Sequence, residues 1–115
     1  MSEQRPAARV FVTQESNQLN YAPAETFGDI VFLTRAEPSV IAGSLINKGI
    51  MEELDRKLED FNPAFDYIAP SGSPVITAMV FSLLGSKLTG RRAAVRVLRW
   101  SNRDRAYQPI VFDIQ

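Results

Sequence analysis

Three groups of residues in this chain have types and spacings that could do chemistry. The first is Ser71-Gly72-Ser73-Pro74. Gly72 can take a positive φ, Ser73 can cap a helix, and Pro74 suits the first helical position. A helix starting there offers free N–H groups and a positive dipole end to an anion such as phosphate. The second is Thr13-Gln14-Glu15-Ser16-Asn17. Here Gln14, Glu15 and Asn17 could hold a sugar or base, and Arg35 and Glu37 of a later loop could join them. The third is the run of cations Lys87, Arg91, Arg92, Arg96, Arg99, Arg103 and Arg105, interleaved with Trp100 and Tyr107. Arginines beside aromatics can grip phosphates and stack on bases.

Each group also has a plain structural explanation. Helix capping accounts for every residue of Ser71–Pro74. There is no G-x-G-x-x-G, and no lysine follows as in a P-loop. The loop after Thr13 can simply be solvated. Strand alternation puts Arg96, Leu98 and Trp100 on one face and Val95, Val97 and Arg99 on the other, so the cations do not share a surface.

Catalysis is hard to build from this composition. The 115 residues contain no cysteine and no histidine. That removes thiolate chemistry, disulfides, the commonest general base and the commonest metal ligand. Asp29, Asp66 and Glu15 are the carboxylates best placed in sequence to act, and Tyr21, Tyr67 and Tyr107 the phenols, yet nothing brings them together. No catalytic residue, metal or cofactor is assigned.

Net charge is zero but unevenly spread. Residues 1–86 hold six Lys/Arg and eleven Asp/Glu, net −5, while residues 87–115 hold seven and two, net +5. The asymmetry marks an anionic partner, or two faces that balance each other or pair across a dimer. A domain neutral overall weighs against general nucleic-acid binding.

The elements that must position these groups follow from pattern. Arg9–Thr13 reads as a first strand and Asp29–Leu33 as a second. The second is so continuously apolar that it suits a central position. Ile46–Phe61 reads as an amphipathic helix with Ile46, Ile50, Met51, Leu54, Leu58 and Phe61 in one stripe. Asp66–Pro70 is a third strand. Val75–Leu84 is a helix apolar on nearly all sides, expected to be buried on more than one and to stop at Gly85. It is short of the roughly 20 apolar residues of a membrane span. Val95–Trp100 is a fourth strand, and Tyr107–Ile114 returns as a fifth, with Pro109 marking a sheet edge.

The expectation is a single small α/β domain over residues 1–115. It is Rossmann-like, with a mixed, mostly parallel five-stranded sheet, two long helices and a C-terminal β-hairpin. Residues 1–8 are expected to be flexible and carry no signal-peptide pattern, so a cytoplasmic location in the host cell is expected.

The second half resembles a group of short phage-encoded α/β proteins of unassigned function. The matching residues are Asp66-Tyr67-Ile68, Gly72-Ser73-Pro74, Val97-Leu98-Arg99-Trp100 and Tyr107-Gln108-Pro109. The resemblance implies a role in infection and supplies no catalytic residues. The leading expectation is a non-enzymatic accessory protein that binds a host or phage protein, for host takeover or counter-defence. Its contact surface would include Arg96, Arg99, Trp100, Arg103, Arg105 and Tyr107. The alternative is a small nucleotide-binding domain, such as a signal-nucleotide sponge, using Ser71, Gly72, Ser73, Thr13, Gln14, Glu15 and Asn17. A single-stranded nucleic-acid binder comes third. An edge strand leaves a homodimer open.

Overall fold

In the computed structural model, which describes residues 7–114, five strands form one mixed sheet in the order β2-β1-β3-β4-β5. They are β1 (Arg9–Val12), β2 (Asp29–Phe32), β3 (Tyr67–Ala69), β4 (Ala93–Ser101) and β5 (Ala106–Ile114). The first four are parallel, and β5 pairs antiparallel with β4. Two helices, α1 (Leu45–Lys57) and α2 (Pro74–Lys87), supply the crossovers into β3 and β4. A 3-10 helix (Ala22–Thr26) lies between β1 and β2. The α/β class, the mixed sheet, the two helices and the closing hairpin are all as expected.

Alternation along the strands makes two cores. Phe11, Ile68 and Val95 pack under α1 and α2 against Ile50, Leu54, Leu58, Ile76, Val80 and Leu84. Val10, Val12, Ala69 and Leu98 pack on the opposite face with Tyr21 and Ala24 at the 3-10 helix. Both long helices therefore cover the same face, and a short 3-10 helix is the only helical cover described on the other.

Three expectations need correction. The Asp29–Leu33 strand is at the sheet edge, not its centre; the strands flanked on both sides are β1, β3 and β4. Its apolar run reflects cover above and below, since Val31 and Leu33 face one core and Ile30 and Phe32 the other. Continuous hydrophobicity reports covered faces, not lateral neighbours.

α2 does not stop at Gly85. Leu84 and Leu88 are both buried and continue the packed side, and the left-handed glycine is Gly90, at φ +78°. α2 is buried on more than one side, as expected: Ile76, Val80 and Leu84 form a fully covered row and Met79, Phe81 and Leu83 pack half-buried beside it, while Val75 is half exposed and Ala78 and Ser82 face outward. With a single helical layer on that face, the outer side meets solvent.

Finally, α1 ends at Lys57, and Ile46 is exposed in its first turn, capped by Ser44. The buried stripe is Ile50, Leu54 and Leu58. Phe61 lies beyond the helix and still meets Phe11 edge-on at 5.4 Å. Pro109 does lie on an edge strand, as its missing N–H requires. Residues 1–6, within the stretch expected to be flexible, lie outside the described residues. Ala8 is held, its carbonyl accepting from Asp29 N at 3.0 Å.

Candidate functional site

The sheet order reverses direction between β1 and β3, and the carboxyl ends of these strands open into a cleft of about 520 Å³. In open α/β sheets this crevice is where ligands bind. Gln14, Glu15, Asn17, Gly72 and Ser73 all line it, joined by Arg35 and Glu37 from the loop after β2. The structure thus brings together two segments some 58 residues apart in sequence.

Thr13 and Ser71 sit behind the cleft as a brace. The Thr13 hydroxyl donates to Ser71 O at 2.9 Å and accepts from Ser71 N at 2.9 Å. Ser71 Oγ meets the Tyr21 hydroxyl at 2.7 Å. Tyr21 was not singled out for this place; a lone tyrosine in a polar loop carries no pattern that would show it.

The first turn of α2 has little left to offer an anion. Gln14 is buried and spans the gap. Its Oε1 accepts from Ser73 N, while its Nε2 donates to Ala36 O at 2.7 Å and to Glu37 Oε2 at 3.1 Å. Ser73 Oγ accepts from Val75 N, and Pro74 has no N–H. Gly72 is at φ +74°, and a Cβ there would run into the Gln14 amide, so the turn is shaped around that side chain. Charge in the cleft is mixed: Glu15 pairs with Arg35 at 2.6 Å, and Glu37 adds a second carboxylate.

The basic segment is arranged quite differently. Lys87 pairs with Asp55 on α1 at 2.8 Å. Arg91, Arg92, Arg96, Arg99, Arg103 and Arg105 have no carboxylate partner among the described residues. Alternation separates them as expected from the sequence. Arg99 donates to Gln108 on the helix-covered face, at 3.1 Å. Arg96 stacks 4.5 Å over the Tyr67 ring on the other, with Nη2 buried and unbonded in the structure. Arg91, Arg92 and Arg96 line a cleft of about 450 Å³ with Asn62 and Val111.

Trp100 and Tyr107 meet edge-on at 5.0 Å across the hairpin. With Arg105, Leu19, Pro23 and Pro70 they line a further cleft of about 460 Å³. Trp100 Nε1 donates to Asn102 Oδ1, so the ring is held while 38% of it remains exposed. Burial, and then the nearby Tyr21, push the Tyr107 phenol above its ordinary value of 10.0. The turn is closed by Arg105 in the left-handed region, at φ 52°.

The carboxylates weighed for catalysis are scattered. Asp66 is buried at the opposite end of the sheet, accepting from Arg9 N at 3.0 Å and Asn62 N at 2.8 Å, with the Arg9 guanidinium 3.5 Å away. Asp29 is exposed at the start of the edge strand, and Glu15 is tied to Arg35. No cluster that could hold a metal ion occurs among the described residues. No described helix is long and apolar enough to cross a membrane.

Among known families, the model described as Phage Pam3 gp32-like protein matches residues 8–114. Comparison with curated proteins and with solved structures finds no match.

Proposed function

We propose that this chain, which belongs to the Phage Pam3 gp32-like protein family, works without catalysis by binding another phage or host protein through its arginine-rich hairpin. The observation that carries this reading is the set of six arginines from Arg91 to Arg105 with no carboxylate partner among the described residues. Of these, Arg105 lines one cleft with an ordered, half-exposed Trp100, on a sheet face with little cover. Arginine and tryptophan are the side chains most often found at the energetic centres of protein interfaces. Uncompensated cations steer an acidic partner into contact. The site of action is the cytoplasm of the infected cell.

A second reading, a nucleotide bound at the strand ends, is favoured by the cleft at the β1/β3 reversal. Two observations weigh against it: Gln14 already occupies the Ser73 N–H, and two glutamates line the cleft. Native mass spectrometry of the chain isolated from infected cells separates the two. The protein-binding reading expects a second polypeptide in the complex. A co-purifying nucleotide that is lost on Ser73→Glu would replace it with the second reading.

A further inference from the structure

The cleft of about 460 Å³ beside the hairpin is built from three segments far apart in sequence. Its apolar walls are Leu19 and Pro23 on one side, Pro70 just past β3, and the edge-on pair Trp100 and Tyr107 across β4 and β5. Leu19 is 53% exposed, and the half-exposed indole of Trp100 is fixed by Asn102 before any partner arrives. The polar groups around these walls can all donate. Asn20 Oδ1 accepts from Ala22 N, and Nδ2 has no partner among the described residues. The same holds for the Gln18 amide, the Tyr107 hydroxyl and the Arg105 guanidinium. Arg105 is the only charged residue in the described lining. It is held at φ 52°, where glycine costs less, and no carboxylate among the described residues pairs with it.

We infer that this cleft seats an extended, proline-containing, acidic segment of the partner protein, an inference that rests on the protein-binding reading of the hairpin and names the partner's chemistry. Proline-containing segments dock in aromatic-lined grooves and arrive already ordered. Their extended backbone makes no internal hydrogen bonds, so its carbonyls are open to the Gln18, Asn20 and Tyr107 donors. A flanking Asp or Glu meets Arg105 in a charge-assisted pair. The net +5 of residues 87–115 draws the same segment in. Charge separates this occupant from a nucleotide. A phosphate monoester brings about 1.5–2 negative charges to a cleft whose described lining holds one cation, whereas one carboxylate matches it.

The probe is a displayed library of random peptides selected on the full chain at ~0.05 M salt, where charge reaches furthest. Sequences that combine proline with Asp or Glu are expected to dominate. A synthetic peptide of the selected consensus should shift the emission of Trp100, the sole tryptophan of the chain. Two variants then place the peptide. Arg105→Gly removes the guanidinium at a φ that glycine adopts without strain, so the turn is kept. Leu19→Glu sets a repelling carboxylate on the opposite wall, at an exposed position outside the hairpin. Each should weaken peptide binding about tenfold or more, and circular dichroism verifies that each is folded.

A selection with no common sequence, or a consensus lacking proline or acid, would overturn the inference. So would a peptide that leaves Trp100 emission unchanged, or one that binds either variant as it binds the natural chain. Emission that responds to AMP or UMP and not to the peptide overturns it in favour of a nucleotide. The hairpin reading fails separately. It stands, with the partner bound outside the cleft, if Arg103→Glu/Arg105→Glu depletes a protein captured from infected cells that Leu19→Glu retains in full. It falls if that reversal changes no captured protein.

Discussion

Gln14→Ala is the substitution that most sharply divides a structural from a ligand-binding role at the strand ends. The side chain is 3% exposed and joins three segments: α2 through Ser73 N, and the loop after β2 through Ala36 O and Glu37. Removing the amide leaves the Ser73 N–H and the Ala36 carbonyl without their partners. An unsatisfied buried polar group costs about 1–3 kcal/mol, and both groups here are only partly buried. The expected loss is ~2–4 kcal/mol, with water recovering some of it. At ~4 °C per kcal/mol for a chain of this size, the melting temperature falls by ~8–16 °C. Urea denaturation should show a lower midpoint and an unchanged slope, because the surface exposed on unfolding barely changes. A loss below ~1 kcal/mol would refute the reasoning. It would mean that the amide does not brace the turn, leaving the Ser73 N–H available to a ligand.

Gly72→Ala places a Cβ against Gln14 at a positive φ and is expected to cost ~2–3 kcal/mol by denaturation. In a Gln14→Ala background, which removes the amide but keeps the Cβ 3.0 Å from the new methyl, the cost falls to ~1–2 kcal/mol, and an unchanged cost would contradict the packing account. Asp66→Asn leaves one of the three donors that converge on the carboxylate facing an amide N–H; a loss of ~2–3 kcal/mol is expected, against under 0.5 for an ordinary surface change. Tyr107 has a phenol pKa raised in the folded chain, so its contribution to stability is full below about pH 10 and is lost as pH rises through the folded value. Tyr107→Phe should flatten the alkaline fall in stability, and an identical pH profile in the variant would show that the phenol is not linked to folding.

The sequence made the fold legible wherever periodicity carried the information. The Ser73-Pro74 helix start, the β4–β5 hairpin and the edge position of Pro109 are local chemistry, and all are found. Lateral order was not legible: β2 reads as central because its two faces are covered, and face cover is what apolar continuity encodes. The end of α2, at Lys87 with Leu88 as its cap, is hidden for a related reason. Gly85 interrupts the apolar run, but a buried Leu88 four residues after Leu84 keeps the turn in place. At the strand ends, the structure brings Gln14, Glu15, Asn17, Gly72 and Ser73 to one cleft. What composition could not reveal is that Gln14 occupies a donor that an anion would need, since that depends on a contact across 59 residues. The charge asymmetry was legible, whereas the lack of a carboxylate partner for six arginines among the described residues emerges only from three-dimensional placement.

The most direct test of the hairpin as a protein-binding surface is affinity isolation of the tagged chain from infected cells, with Arg103→Glu/Arg105→Glu run beside the natural protein. The account predicts at least one phage or host protein, a second copy of the chain included, that is retained by the natural hairpin. Reversal should deplete it tenfold or more, a loss of about 1.4 kcal/mol, while circular dichroism remains unchanged. Equal recovery of every retained protein by the two forms would contradict the account.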